Sequence, residues 1–152
     1  MTGIPDFPLA LALVVLALVL PVLPRLARGI LTVAVPLVLL VILAQTEHGV
    51  EITASLAGFE LILFQVNAVN FVFGVIFLLI SAIASLYAWH IRDAGQQSAA
   101  SFYAAGAVGV TFAGDFLTLL IFWELMAVAS AWLIFARRRP ESTAAGFRYL
   151  LV

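Results

Sequence analysis

Apolar residues run through this chain in five long blocks separated by short polar or proline-containing breaks, and a further block opens before Val152. Phe7 to Leu23 is uninterrupted and about as long as a helix needs to be to span hydrocarbon. Pro21 and Pro24 punctuate its end. Gly29 to Ala44 predicts a second, shorter helix kinked at Pro36, which membrane helices tolerate when neighbours satisfy the freed carbonyl. Ala68 to Trp89 predicts a third, Ser98 to Ala113 a fourth and Asp115 to Ala136 a fifth. From Glu141 to Val152 the spacing of Phe147, Leu150 and Leu151 begins a sixth that is shorter than the about 20 residues of a span. The predicted fold is an all-α integral membrane protein. It is one domain over 1–152, a bundle of five transmembrane helices plus the start of another.

Between the second and third helices the period changes from helical to two. Ile52, Ala54 and Leu56 alternate with Thr53 and Ser55, Gly58 interrupts, and Phe59, Leu61 and Leu63 alternate again. That pattern predicts a small extramembrane hairpin. The fourth segment is rich in small residues, Ala104, Ala105, Gly106, Ala107 and Gly109, which let backbones approach closely. It is expected to be central and packed on several sides.

Composition agrees with the pattern. The chain is 65% hydrophobic and 10% charged, against roughly a quarter charged in soluble domains, and its mean hydropathy is +1.21. There is no cysteine, which excludes disulfides and thiolate chemistry. The net charge of -1 speaks against nucleic acid as a partner. Met1 to Pro8 lacks a basic leader region and carries Asp6, so the first block is expected to stay in the mature chain.

All seven basic residues are arginine. Threading five helices puts Arg25, Arg28, Arg92 and the tail from Arg137 to Arg148 on one side, with Asp6, Glu47, Glu51 and Glu60 on the other. The positive-inside rule then predicts an external N-terminus and a cytoplasmic C-terminal end in the cell membrane.

The fifth block, DFLTLLIFWELMAVASAWLIFA, carries Glu124 near its middle. A central acidic residue costs about 2.5 to 3.5 kcal/mol on insertion scales. The large apolar residues around it, at about 0.3 to 0.6 kcal/mol each, offset that. An ionisable group at such depth is a candidate proton relay, and a cation beside it would govern its occupancy. The competing reading is a side chain that snorkels or is satisfied by Thr118 or Ser130. Asp115 is expected as a helix cap, Asn67 and Asn70 as caps or interhelix hydrogen bonders, His90 as an interfacial residue, and Trp123 and Trp132 as packing residues. Arg137 to Arg139 reads as a cytoplasmic stop signal. The sequence presents no phosphate loop, metal-ligand cluster or nucleophile constellation, so no cofactor is expected. Without cysteine or a membrane-depth His pair, a haem or quinone subunit is a poor alternative.

Phe102 to Phe135, with FWELM from Phe122 to Met126 as its most specific piece, resembles the antiporter-like membrane subunits shared by respiratory complex I, membrane-bound hydrogenases and Mrp-type multisubunit sodium/proton antiporters. FELILFQVNAVNFVFGVIF leading into YAWHIRD, and the closing AAGFRYLLV, support the likeness. The similarity runs along the whole chain but covers only the N-terminal third of a typical member. It implies a proton- or sodium/proton-translocating complex in which Glu124 is the fifth-helix proton-pathway glutamate. The family's relay continues through lysines on later helices, so the likeness implies that Glu124 pairs with a lysine outside this sequence, on the rest of a longer subunit or on a partner, and it implies other membrane subunits of the complex as partners. The family usually has Asp where Asn67 stands. A structural subunit that scaffolds such a complex without an ion pathway of its own is the alternative.

Overall fold

The computed structural model describes residues 7–56, 58–136 and 145–148. In chain order these form α1 (Leu9–Val19) with a 3-10 turn after it (Leu20–Val22), α2 (Arg25–Ala44), β1 (Glu51–Leu56), β2 (Phe59–Gln65), α3 (Ala68–Tyr87) with a second 3-10 turn (Ala88–His90), α4 (Ala94–Phe112) and α5 (Phe116–Phe135). The protein is mostly helical, with one two-stranded sheet. Arg137 to Arg139 lies outside the described residues, as does most of the predicted start of a sixth helix.

Three helical stretches, Arg25–Ala44, Ala68–His90 and Phe116–Phe135, are long and apolar enough to cross a membrane. α1 with its 3-10 turn is apolar but shorter, and α4 opens with the polar run Gly95 to Ser98.

Helix starts follow local chemistry, and two of them differ from the sequence expectation. The second helix begins at Arg25 rather than Gly29, because Pro24 holds extended backbone and its carbonyl accepts the Arg28 amide at 3.0 Å. Arg25 and Arg28 therefore belong to the first turn of α2, not to a loop. The fourth helix begins at Ala94 rather than Ser98, because Asp93 Oδ1 accepts the amides of Gly95 at 2.8 Å and Gln96 at 3.2 Å. At the start of α3 the expected capping is reciprocal. Asn67 accepts the amides of Val69 and Asn70, Asn70 accepts that of Asn67, and its Nδ2 donates to the Gln65 carbonyl.

The two prolines at helical positions have opposite settings. Pro21 has no N–H to give the Ala17 carbonyl, and α1 tightens into its 3-10 turn there. Ser98 of α4 supplies the missing donor, its hydroxyl reaching Ala17 O at 2.6 Å across 81 positions. Pro36 is buried within α2 and withholds a donor from Thr32 one turn back.

The predicted hairpin is present as an antiparallel pair with Glu51 opposite Gln65 and Leu56 opposite Phe59, and one irregularity between Ile52 and Thr53. Gly58 at the tip has φ +86, a conformation that suits glycine. β2 carries the hairpin's buried residues, Leu61 and Phe64, and the Phe64 ring lies 4.8 Å from that of Phe112.

α4 packs against α1, α3, α5 and β2, as its small residues suggest. A Cβ on Gly106 would stand 2.8 Å from Met126 Cβ and 2.9 Å from the Phe122 carbonyl oxygen, and one on Gly109 would meet the Phe122 ring at 2.2 Å. Bulk at either position would wedge α4 from α5. Successive helices alternate in direction. At one end Arg28 Nη2 donates to the Arg92 carbonyl at 3.0 Å, and at the other the Gly114 amide donates to Ile62 O at 3.0 Å. Of the described arginines, Arg25, Arg28 and Arg92 thus share one end, and the hairpin with Glu51 and Glu60 occupies the opposite one.

Candidate functional site

α5 is positioned from its N-terminus. Asp115 accepts the Thr118 amide on Oδ1 at 2.9 Å, and its Oδ2 takes both the Thr118 hydroxyl and the Ile62 amide at 2.6 Å. Thr118 is fully buried. Partial burial pushes the Asp115 carboxyl up, but hydrogen bonds from the Thr118 hydroxyl and the amides of Thr118, Ile62 and Leu117 outweigh it and hold the group below its ordinary value. This carboxylate is the expected cap, and it also ties the hairpin to α5. The periodicity of the sequence carries no sign of the second role.

From that anchor α5 presents Phe122, Ala129 and Ala131 as buried residues, with Phe122 and Met126 against the small residues of α4. Glu124 lies two positions from both Phe122 and Met126, about 200° round the helix. It is exposed, in an outward stripe with Leu117, Leu120, Ile121 and Val128. Neither hydroxyl considered for it in the sequence reading serves it. Thr118 is bonded to Asp115 and Ser130 to the Ala127 carbonyl. Among the described residues Glu124 makes no hydrogen bond or ion pair.

Trp123 and Trp132, expected as packing residues, are 54% and 57% exposed. The Phe122, Met126 and Ala129 positions fill the narrow seam against α4, which leaves Trp123 on the outward surface of α5 and Trp132 at the seam's edge, its indole against Gly95 at the start of α4. His90 is exposed at its helix end, its Nδ1 3.1 Å from the Tyr87 carbonyl oxygen and its ring edge-on to Tyr87. No three His, Asp or Glu side chains converge as a metal site requires among the described residues.

Among the described residues, therefore, no second titratable group is bonded to Glu124. A helix of membrane-crossing length that exposes a carboxylate at mid-height leaves it either in hydrocarbon, at about 2.5 to 3.5 kcal/mol, or against a protein surface beyond the described residues. The chain matches no protein-family model, no curated protein and no solved structure.

Proposed function

We propose that this chain is a membrane subunit of a proton- or sodium/proton-translocating complex of the antiporter-like type, with five helices crossing the bilayer and the arginine-bearing end in the cytoplasm. The observation that carries the reading is Glu124, exposed halfway along α5 and without a partner among the described residues. A membrane-depth carboxylate is stable and useful when further protein covers it, and a lysine there, on a neighbouring subunit or on sequence beyond this chain, would both neutralise it and set its proton occupancy. The FWELM likeness points to the same side chain. In the assembled complex Glu124 then holds a proton when the partner cation moves away and releases it when the cation returns.

The test is Glu124→Gln in the assembled complex. Loss of ion movement with normal assembly is expected, and Glu124→Asp should retain part of it. Unchanged translocation in Glu124→Gln overturns the assignment and leaves the scaffolding role.

A further inference from the structure

α3 and α4 press together at the hairpin end, where a Cβ on Gly74 would stand 2.3 Å from the Phe112 ring. Nearer the arginine end they enclose between them a cavity of about 620 Å³. That is within the roughly 300 to 1,000 Å³ of small-molecule sites. Ile80, Ala84 and Ala88 line it from α3 and the turn after it, and Ala100, Ala104 and Ala107 from α4. From Phe77 to Ala88 the lining rises about 16 Å at 1.5 Å per residue. One leaflet of a hydrocarbon core about 30 Å thick has that depth.

Several hydroxyls along the groove are spent on their own helices. Ser81 donates to Phe77 O at 2.7 Å, Ser101 to Gln97 O at 3.0 Å and Thr111 to Ala107 O at 2.7 Å, and the lining is mostly apolar. At the arginine end polar capacity is left over. Gln97 anchors Nε2 on the Ile91 carbonyl at 3.1 Å, and its Oε1 is buried without a donor. Arg28, one turn before the lining residue Thr32 and fixed through Nη2 to the Arg92 carbonyl, keeps a buried Nε without an acceptor, and Arg92, next to the lining residue Ile91, is exposed.

We propose that this groove is a phospholipid site. One acyl chain of the leaflet on the arginine side lies between α3 and α4. An anionic headgroup bearing hydroxyls, as in phosphatidylglycerol, sits at the mouth. Its phosphate faces Arg28 and Arg92, and a hydroxyl donates to Gln97. Phosphatidylcholine offers the same chain but neither a net negative charge nor a donor. The assignment rests on the membrane reading of the helices and not on Glu124.

Native mass spectrometry of the full chain, released from micelles holding equal amounts of phosphatidylglycerol and phosphatidylcholine, tests it. One retained lipid is expected, with phosphatidylglycerol favoured at least about five-fold, which is what one basic side chain is worth at an anionic surface. Arg28→Gln with Arg92→Gln should remove the preference and leave chain binding. Ala84→Phe should abolish retention of both lipids. Ala100→Phe fills the same groove from the other wall, and both alanines are exposed, so one of the pair reports even where the other fails to fold. Equal retention of the two lipids, or undiminished retention in a folded groove-filling variant, overturns the proposal. Carbonate extraction of membranes separates the outcomes: a chain that stays embedded but shows no preference sinks the lipid site alone, and one that washes off sinks the membrane reading.

Discussion

The Asp115 carboxylate accepts the amide of Ile62 at 2.6 Å across 53 positions of chain, while the adjacent Gly114 amide donates to the carbonyl of the same Ile62. The hairpin is held to the α4 to α5 turn by both backbone groups of one residue, Ile62. Asp115→Ala removes a helix cap and leaves the Ile62 amide without its acceptor. A loss of about 2 to 4 kcal/mol is expected from a cap and a charge-assisted hydrogen bond together. Denaturant titration in detergent micelles measures it, with early protease cleavage in Glu51 to Gln65 as the local signature. Cleavage unchanged from the parent chain would refute the tie.

The same carboxylate makes hairpin docking depend on acid in a definite direction. Its folded-state pKa is depressed, so its contribution is fully present above the ordinary carboxylate value of about 3.9 and is lost as pH falls through the lower folded value. The stability difference between the parent chain and Asp115→Asn should be constant from pH 7 to about 5 and shrink below about 3.9. Melting curves of the two proteins at matched pH give that difference. A gap that widens on acidification contradicts the assignment.

Ser98 replaces the donor that Pro21 denies to Ala17. Ser98→Ala should cost about 1 to 3 kcal/mol, the penalty of an orphaned buried carbonyl. Pro21→Ala in the same background restores an amide donor within α1 and should recover much of that loss. A double-mutant cycle on thermal stability reads the coupling, and strict additivity of the two changes would show that they are unrelated.

Gly106 sits where α4 touches the backbone of α5, so relief by rotating a neighbouring side chain is closed to it. Gly106→Ala is expected to destabilise by about 1 to 3 kcal/mol through overpacking, and Gly106→Leu to prevent the two helices from seating. Tolerance of Leu at 106, judged by unchanged melting, would mean that the small-residue seam is not the contact between α4 and α5.

Glu124→Gln should leave the isolated chain's stability within about 0.5 kcal/mol, because the side chain is exposed and bonded to nothing described. Thr118→Val, two turns earlier and buried on Asp115, should be clearly destabilising. Melting in detergent compares the two. A large loss in Glu124→Gln would reveal an intrachain partner and move the carboxylate from relay to structural duty.

What the sequence made legible was what nearest neighbours decide. The two-residue period from Ile52 to Leu63 marked the hairpin, Asn67, Asn70 and Asp115 marked helix starts, and Gly106 and Gly109 marked the tight seam. Pro24 and Asp93 also held start signals, and weighting apolar runs over capping chemistry set the second and fourth helices four residues late. Contacts far apart in sequence left no periodic trace. Neither the Ile62 amide on Asp115 nor the Ser98 hydroxyl on Ala17 could be read from spacing, because backbone groups look alike in every sequence. The outward direction of Glu124 and Trp123 was likewise hidden. α5 is apolar all round, so its composition does not say which side meets α4.

Pro36 gives α2 a missing rung roughly midway between the Arg28 clasp and the start of the hairpin. A helix yields most easily where its hydrogen-bond ladder is interrupted. Any bend of α2 is therefore expected between Thr32 and Pro36, where the ladder lacks a donor.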